Sequence, residues 1–593
     1  MQRGLILLPG LLLTEAALFS SEVYLKVTKH ATTTWQQPAH LDKEIVIVGE
    51  EIEKLGVRNI YEILKMHNVD VYRRSDMQQD FSLNGGSFEQ VKILLDGIPL
   101  NDPQTGHHNC NIPITLKDIE YIQIVKSKNL SSYGNNAFSG VINIVPRSNA
   151  ANLLSITYGS FDTYKVSSRT SFSLGYLSID ISGSSGYREN TDYNSYSIFS
   201  NFNYKGAKFY IGFLAKNFGA QDFYALNRKE YEETKTLFVA LKKNFICKEN
   251  ISLNFDTFLR RGYDYYTTQR YRPEIYYNKH SSYLYGISSS CNWHVSKNIL
   301  IQPSFEAIIK QLDSKGYSTI LPSWQGMGNF YDKEYSASTT FILNIHKLLF
   351  DATLKWNYFS RYKLLPQYST TLNINLTEKN KIFFSASKVI RTPSYTELFY
   401  WDPQHQTTTE DLKVEQTERY SAGVNNIVKN LNFSITGFYY KPTNVIDWIR
   451  TKSATESWKI TNVAKTEIYG GELGIDWTFF SCFDAKLFYS VTAKKFNLPE
   501  NKELKYIENY PTNSLSLILS FPEILGIKVN ISNLYKTYTK TQPQRFFLTN
   551  ISVSKNFKGA IFSLTIENLF DVKYQEVPGI YQPQRQMFLS INL

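Results

Sequence analysis

From about residue 149 to its end, the chain alternates apolar and polar side chains with a period of two, and no stretch there holds 18 consecutive apolar residues. Leu177, Ile179 and Ile181 alternate with Tyr176, Ser178, Asp180 and Ser182. Phe433 and Ile435 alternate with Ser434 and Thr436, and Phe562, Leu564 and Ile566 with Ser563, Thr565 and Glu567. A strand built this way has one apolar and one polar face. A sandwich hides the apolar face inside, whereas a membrane barrel turns it to lipid and keeps the polar face for the lumen. Alternation does not separate the two, but size does. About 445 residues of strand pattern without a helical segment is long for a sandwich. Divided into about 22 strands, it leaves roughly 20 residues for each strand and loop, which suits a plugged transmembrane barrel. Aromatic residues make up 15% of the chain, with 42 Tyr and 38 Phe, as two interfacial girdles require.

The first residues read differently. Met1-Gln2-Arg3 precedes an apolar run over 5–13, then Ala16, Ala17, Ser20 and Ser21. This resembles a secretory signal peptide cut between Ala17 and Ser21, although Glu15 closes the run and no A-x-A triplet precedes the cut. A secreted chain without a helical anchor enters a membrane only by closing a barrel. Residues 41–148 mix helix and strand. Residues 44–48 (EIVIV), 91–95 (VKILL), 119–125 and 141–145 are predicted strands, and 49–55 and 60–67 have helical spacing. Asp96-Gly97 closes the second strand as a turn. The expected fold is therefore mainly β, an antiparallel transmembrane barrel behind a compact N-terminal α+β domain.

Charge and cysteine narrow the function. The net charge of +11 is spread along the chain with no basic stripe, so nucleic acid is not an expected partner, whereas lipid head groups or an anionic ligand are compatible. Cys110, Cys247, Cys291 and Cys482 are too scattered for a zinc site or a disulfide framework.

Several segments, taken in order, resemble the TonB-dependent receptors. In the N-terminal domain they are Glu51-Ile52-Glu53-Lys54-Leu55-Gly56, Tyr61-Glu62-Ile63-Leu64, Lys92 to Leu100 (KILLDGIPL), Ile119-Glu120-Tyr121-Ile122 and Ser132 to Ile144 (SYGNNAFSGVINI). The strand region adds Arg391 to Phe399 (RTPSYTELF), Asp411 to Glu415 (DLKVE), Asn462-Val463 with Gly470-Gly471-Glu472, and Glu567 to Tyr574 (ENLFDVKY). The barrel segments are read as strand and turn chemistry. The resemblance covers nearly the whole chain. It implies an outer-membrane barrel of a Gram-negative bacterium closed by an N-terminal plug, laid out as a signal peptide (1–20), an N-terminal extension (21–40), a plug (41–148) and a barrel (149–593). Asp96, Gly97, Tyr133, Gly134 and Gly140 are its structural plug residues. The family often has Arg at positions held here by Asn84 and by Lys126-Ser127-Lys128, which puts plug-to-barrel ion pairs in question.

The resemblance also implies function. An outer membrane holds no ATP, so import there draws on TonB and its inner-membrane complex. The segment Glu22, Val23, Tyr24, Leu25, Lys26, Val27 and Thr28 is the candidate TonB box, its Val23, Leu25 and Val27 alternating as an added strand requires. The plug segment 101–111 is expected to face an external cavity, with Gln104, His107, His108 and Asn109 as ligand contacts, joined from the barrel by Tyr224, Trp324 and Trp401. External loops are expected at 218–234, 262–283, 311–332, 400–416 and 535–544, and a short periplasmic turn at Lys429-Asn430. Adjacent histidines in an extended segment diverge, which argues against joint chelation, and no carboxylate cluster matches a calcium loop. No resident metal or cofactor is expected, nor any catalytic group. The short N-terminal region most resembles the vitamin B12 receptor branch, so the expected protein is a monomeric importer of a scarce small molecule, with cobalamin favoured. The alternatives are a ferric-siderophore receptor and a non-transporting structural or adhesive barrel.

Overall fold

The computed structural model describes residues 44–224, 228–319, 324–401, 405–407, 411–452, 456–463, 466–479 and 483–593. Twenty-two strands form one closed antiparallel barrel. It closes where Gln586–Asn592 pairs with Leu153–Gly159, with Phe588 opposite Gly159 and Asn592 opposite Ser155. Closure leaves no unpaired edge, the one way a sheet can cross hydrocarbon. The period-two reading holds at side-chain level. Leu177, Ile179 and Ile181 are each about 40% exposed, while Tyr176, Ser178 and Asp180 between them are 8% or less. The last strand shows Met587, Leu589, Ile591 and Leu593 outward and buries Phe588. Arg in place of Ile179, at the middle of Gly175–Ser184, is expected to cost about 2–4 kcal/mol, read as a lower yield of folded barrel in vesicle refolding.

One barrel end carries short turns, Lys429-Asn430 among them, where Lys429 takes a φ of 51° between Glu415–Val428 and Leu431–Thr443. At the other end, strands invade the expected loops. Residues 262–283 are mostly the ends of Ile251–Thr267 and Tyr276–Ser296, leaving 268–275 between them. Likewise Ile299–Ser318 and Gly328–Ile345 shorten the loop expected at 311–332, Tyr231–Lys248 the one at 218–234, and Ile527–Tyr538 the one at 535–544. The reason is cross-strand pairing. Tyr265 opposes Lys279, whose ammonium lies 5.5 Å from the ring centre, and Tyr277 opposes Tyr317 with rings stacked at 5.6 Å. Such pairs extend a ladder beyond the lipid, where polarity had suggested loop.

Inside the barrel sits a five-stranded sheet in the order Ile45–Val48, Ile119–Val125, Gly140–Pro146, Val91–Leu95, Ile98–Pro99. Helices Gly49–Leu55 and Ile60–Met66 pack on it over a core that includes Ile47, Ile63, Ile93, Ile122 and Ile142. Asp96 and Gly97, with φ of 47° and 84°, make the turn between the last two strands in that order. The turn docks on the wall, because Tyr210 donates to Asp96 Oδ2 at 2.7 Å and Lys242 lies 3.1 Å from it. Gly134 has a φ of 82°, a backbone conformation that a side chain strains, and a Cβ there would also press on Lys355 Nζ of the wall at 2.8 Å.

The plug is apolar within and polar where it meets the wall. Ion pairs join Arg58 to Glu567 (2.8 Å), Lys65 to Glu576 (2.6 Å), Asp102 to Arg260 (2.6 Å) and Glu51 to Lys486 (2.6 Å). Where the missing arginines placed plug-to-barrel ion pairs in question, one ion pair and one neutral hydrogen bond join plug and wall. Lys126 pairs with Glu472, and Asn84 Nδ2 donates to Tyr440 Oη at 2.9 Å. Water can replace such contacts one at a time.

Candidate functional site: a cavity between plug and external loops

The plug loop after Pro99 is pinned from below. Asn101 accepts from Ile93 N (2.9 Å) and donates to Val91 O (2.8 Å). The following residues are not extended as expected. Gly106–Cys110 is a 3-10 turn, with Thr105 Oγ1 accepting from His107 N. The turn sends the two histidines to different neighbours. His107 stacks on Phe88 with ring centres 4.1 Å apart and places Nδ1 3.0 Å from Asp80. His108 puts Nε2 3.2 Å from Glu232 on the wall. Burial lowers the pKa of His107 despite Asp80. Burial also opposes charge on His108, but Asp264 and Glu232 raise it to about 9. One histidine faces the cavity, and its neighbour faces carboxyl groups on the wall.

Above the loop lies a cavity of about 630 Å³. Its lining includes Phe88, Gln104 and His107 of the plug, Tyr266 and Tyr276 of the wall, and Tyr224, Tyr400, Trp448 and Tyr506 of the external segments. The rings meet edge to face, Phe88 with Tyr506 at 5.0 Å and Tyr224 with Tyr266 at 4.9 Å. Two buried carboxyls hold the aromatic panels. Glu230 accepts from Phe223 N and Tyr224 N at 3.0 Å and from Tyr266 Oη at 2.6 Å. Asp447 accepts from Trp448 N at 2.7 Å and Ile507 N at 2.9 Å. Burial raises each to about 7. Arg228, Lys229, Arg270, Arg272 and Lys505 also line it, Lys229 paired with Glu189, Arg270 with Asp192 and Arg272 with Glu274.

Of the residues expected to touch ligand, Gln104, His107 and Tyr224 line this cavity. His108 and Asn109 lie behind it, Asn109 accepting from Asp102 N at 3.0 Å. Trp324 is a support. It donates to Asn278 Oδ1 at 2.8 Å and packs against Tyr276 and Tyr400, both of which line the cavity. Trp401 is 37% exposed and is not among the lining residues. The TonB-box candidate, residues 22–28, lies outside the described residues. Sequence reasoning missed Phe88, Trp448 and Tyr506, which carry no local motif. It also missed the role of the 391–399 segment, read as strand and turn. Ser394 and Glu397 form a reciprocal capping box that starts the helix Tyr395–Phe399. The S-x-x-E spacing was a usable signal.

That helix sits on the plug loop. Tyr395 N donates to Pro103 O at 3.0 Å and Thr396 N to Gln104 O at 2.9 Å. Beneath it, buried Arg391 grips Glu397 with two hydrogen bonds of 2.7 and 2.9 Å and also bonds Glu415. Glu415 accepts from plug Gln90 at 3.0 Å and from Ile446 N at 2.7 Å. Plug, barrel, helix and external sheet thus meet at one guanidinium. Glu89 joins from the plug, its carboxyl raised above the ordinary 4.5 by burial and by Glu397. Glu89 therefore stabilises fully below its unfolded pKa, and that contribution is lost as pH rises through its higher folded value. Its partners Gly106 N, Thr105 Oγ1 and Ser394 Oγ all reach Oε1. Glu89→Gln keeps that acceptor, so the variant is expected to gain on the parent as pH rises from 5 to 8, by up to about 1.4 kcal/mol per pH unit, read as a widening gap in thermal midpoints.

Comparison with known proteins agrees with this architecture. The TonB-dependent receptor plug domain model matches residues 42–141, and the TonB dependent receptor-like β-barrel model matches 122–569. The vitamin B12 transporter BtuB of Vibrio cholerae serotype O1 is 21% identical over 585 residues, covering 92% of this chain and 91% of that one. A vitamin B12 transporter BtuB of Vibrio vulnificus is 28% identical over 156 residues, 25% of each chain. Among solved structures, the siderophore receptor PirA from Acinetobacter baumannii superposes with a TM-score of 0.73 at 12% identity, over 95% of this chain and 99% of that one. The copper transporter OprC gives 0.73 at 13% identity, over 89% and 93%. At such identities the structures speak for the fold, while the barrel model alone spans most of the sequence. The chain belongs to the TonB-dependent receptor family of Gram-negative outer-membrane barrels.

Proposed function

We propose that this receptor captures cobalamin in the aromatic cavity above the plug and passes it to the periplasm when TonB, pairing with residues 22–28, pulls on the plug. The observation that carries the reading is the cavity itself, walled by rings that carboxyl groups hold in place. A large, partly apolar ligand gains most from such surfaces. Support for cobalamin over other cargo comes from the full-length match to a vitamin B12 transporter. The polar plug-to-wall contacts fit a domain that must move without exposing an apolar core.

A ferric siderophore is the second reading, favoured by one feature. The positive side chains of the cavity suit an anionic chelate. Labelled cobalamin uptake in cells whose own receptor is deleted separates the two. Uptake restored by this chain, and lost when TonB is absent, supports the proposal. Restored growth on a ferric siderophore without cobalamin uptake replaces it with the second reading.

A further inference from the structure

We propose that His108, Glu232 and Asp264 form a site for a divalent transition-metal ion of the Zn²⁺ class, joining the plug loop to the barrel wall beneath the cavity. One ligand atom from each residue lies within 4.8 Å of the others, and all three side chains are buried. The barrel ladder sets this up. Asp264 and Glu232 are on neighbouring strands as a diagonal pair two residues off register, which keeps both on one face, Glu232 opposite Tyr266 and Asp264 opposite Thr234. Both are buried, at 5% and 0% exposure. The plug turn Gly106–Cys110 lowers His108 between them, with Nε2 3.2 Å from Glu232 and 3.9 Å from Asp264.

The charges are left unbalanced. Among the described residues, neither carboxylate forms an ion pair with Lys or Arg, because nearby Arg260 is engaged by Asp102 at 2.6 Å. Glu232 Oε2 and Asp264 Oδ1 have no hydrogen-bond partner although fully buried. Two buried carboxylates with idle oxygens are costly unless a cation meets them. An imidazole nitrogen with two carboxylate oxygens is a borderline donor set that suits zinc and its neighbours rather than calcium or magnesium. His280 stands opposite Asp264 on the next strand and holds Nδ1 2.8 Å from Ser314 Oγ. Asp264 and His280 both line the cavity, which supplies an entry path. No step depends on cobalamin being the cargo.

The test is Zn²⁺ titration of the purified full-length receptor in detergent by calorimetry, with Co²⁺ absorption reporting the ligands. One saturable site is expected. His108→Ala and the isosteric Glu232→Gln and Asp264→Asn should each weaken it by more than the 10–100-fold that loss of an outer partner costs. Circular dichroism checks that each variant is folded, and the isosteric pair keeps the test decisive if His108→Ala is not. Absence of a saturable site in the parent, or equal affinity in parent and isosteric variants, overturns the proposal.

Discussion

Arg391→Ala is expected to destabilise the receptor by about 3–5 kcal/mol and to loosen the plug, which makes it the most damaging single substitution at the hub. The guanidinium is 1% exposed and holds Glu397 and Glu415, with Glu89 3.9 Å away. Removing it leaves carboxylates buried without their cation, a worse state than if both partners had been apolar. The damage spreads because Glu415 also anchors Gln90 of the plug and Ile446 of the external sheet. Thermal melting in detergent should show a lower midpoint, and cells should admit large antibiotics normally kept out by the closed barrel. Arg391→Lys should recover part of the loss, since an ammonium restores charge but not the two-pronged grip on Glu397. An unchanged melting midpoint in the alanine variant would mean that the hub carries no load.

Deleting residues 22–28 should abolish energised uptake while leaving equilibrium ligand binding unchanged. The described residues that line the cavity begin at Ser87 in sequence and so do not include this segment, and affinity is expected to hold. Uptake requires a pull on the plug, and strand addition needs an extended segment with free backbone groups. Pro in place of Leu25 should have nearly the same effect, because it removes one ladder donor and leaves composition almost intact. Full uptake by the deletion variant would place the TonB contact elsewhere.

The barrel was legible because its apolar face must repeat every second residue, and Leu177, Ile179 and Ile181 show the rule in the structure as in the sequence. The plug strands and the Asp96-Gly97 turn were legible for similar local reasons. The cavity was legible only in part. His107 and Tyr224 were found because they stand in unusual segments, whereas Trp448 and Tyr506 face the cavity only because an external sheet folds over it. Trp401, an expected contact as a loop aromatic, is exposed, and Trp324 buttresses the site instead of lining it. His108 stands beside His107 in the sequence, while the chain folds it against Glu232 and Asp264 on distant strands. Long-range pairing of this kind leaves no local period to read.

The most direct measurement is a binding titration of the purified receptor with cobalamin, with a panel of ferric siderophores beside it. Saturable one-to-one cobalamin binding, weakened about tenfold by Tyr224→Ala through loss of one cavity ring, is the expected result. Binding of a ferric siderophore with no saturable cobalamin binding would contradict the proposed cargo.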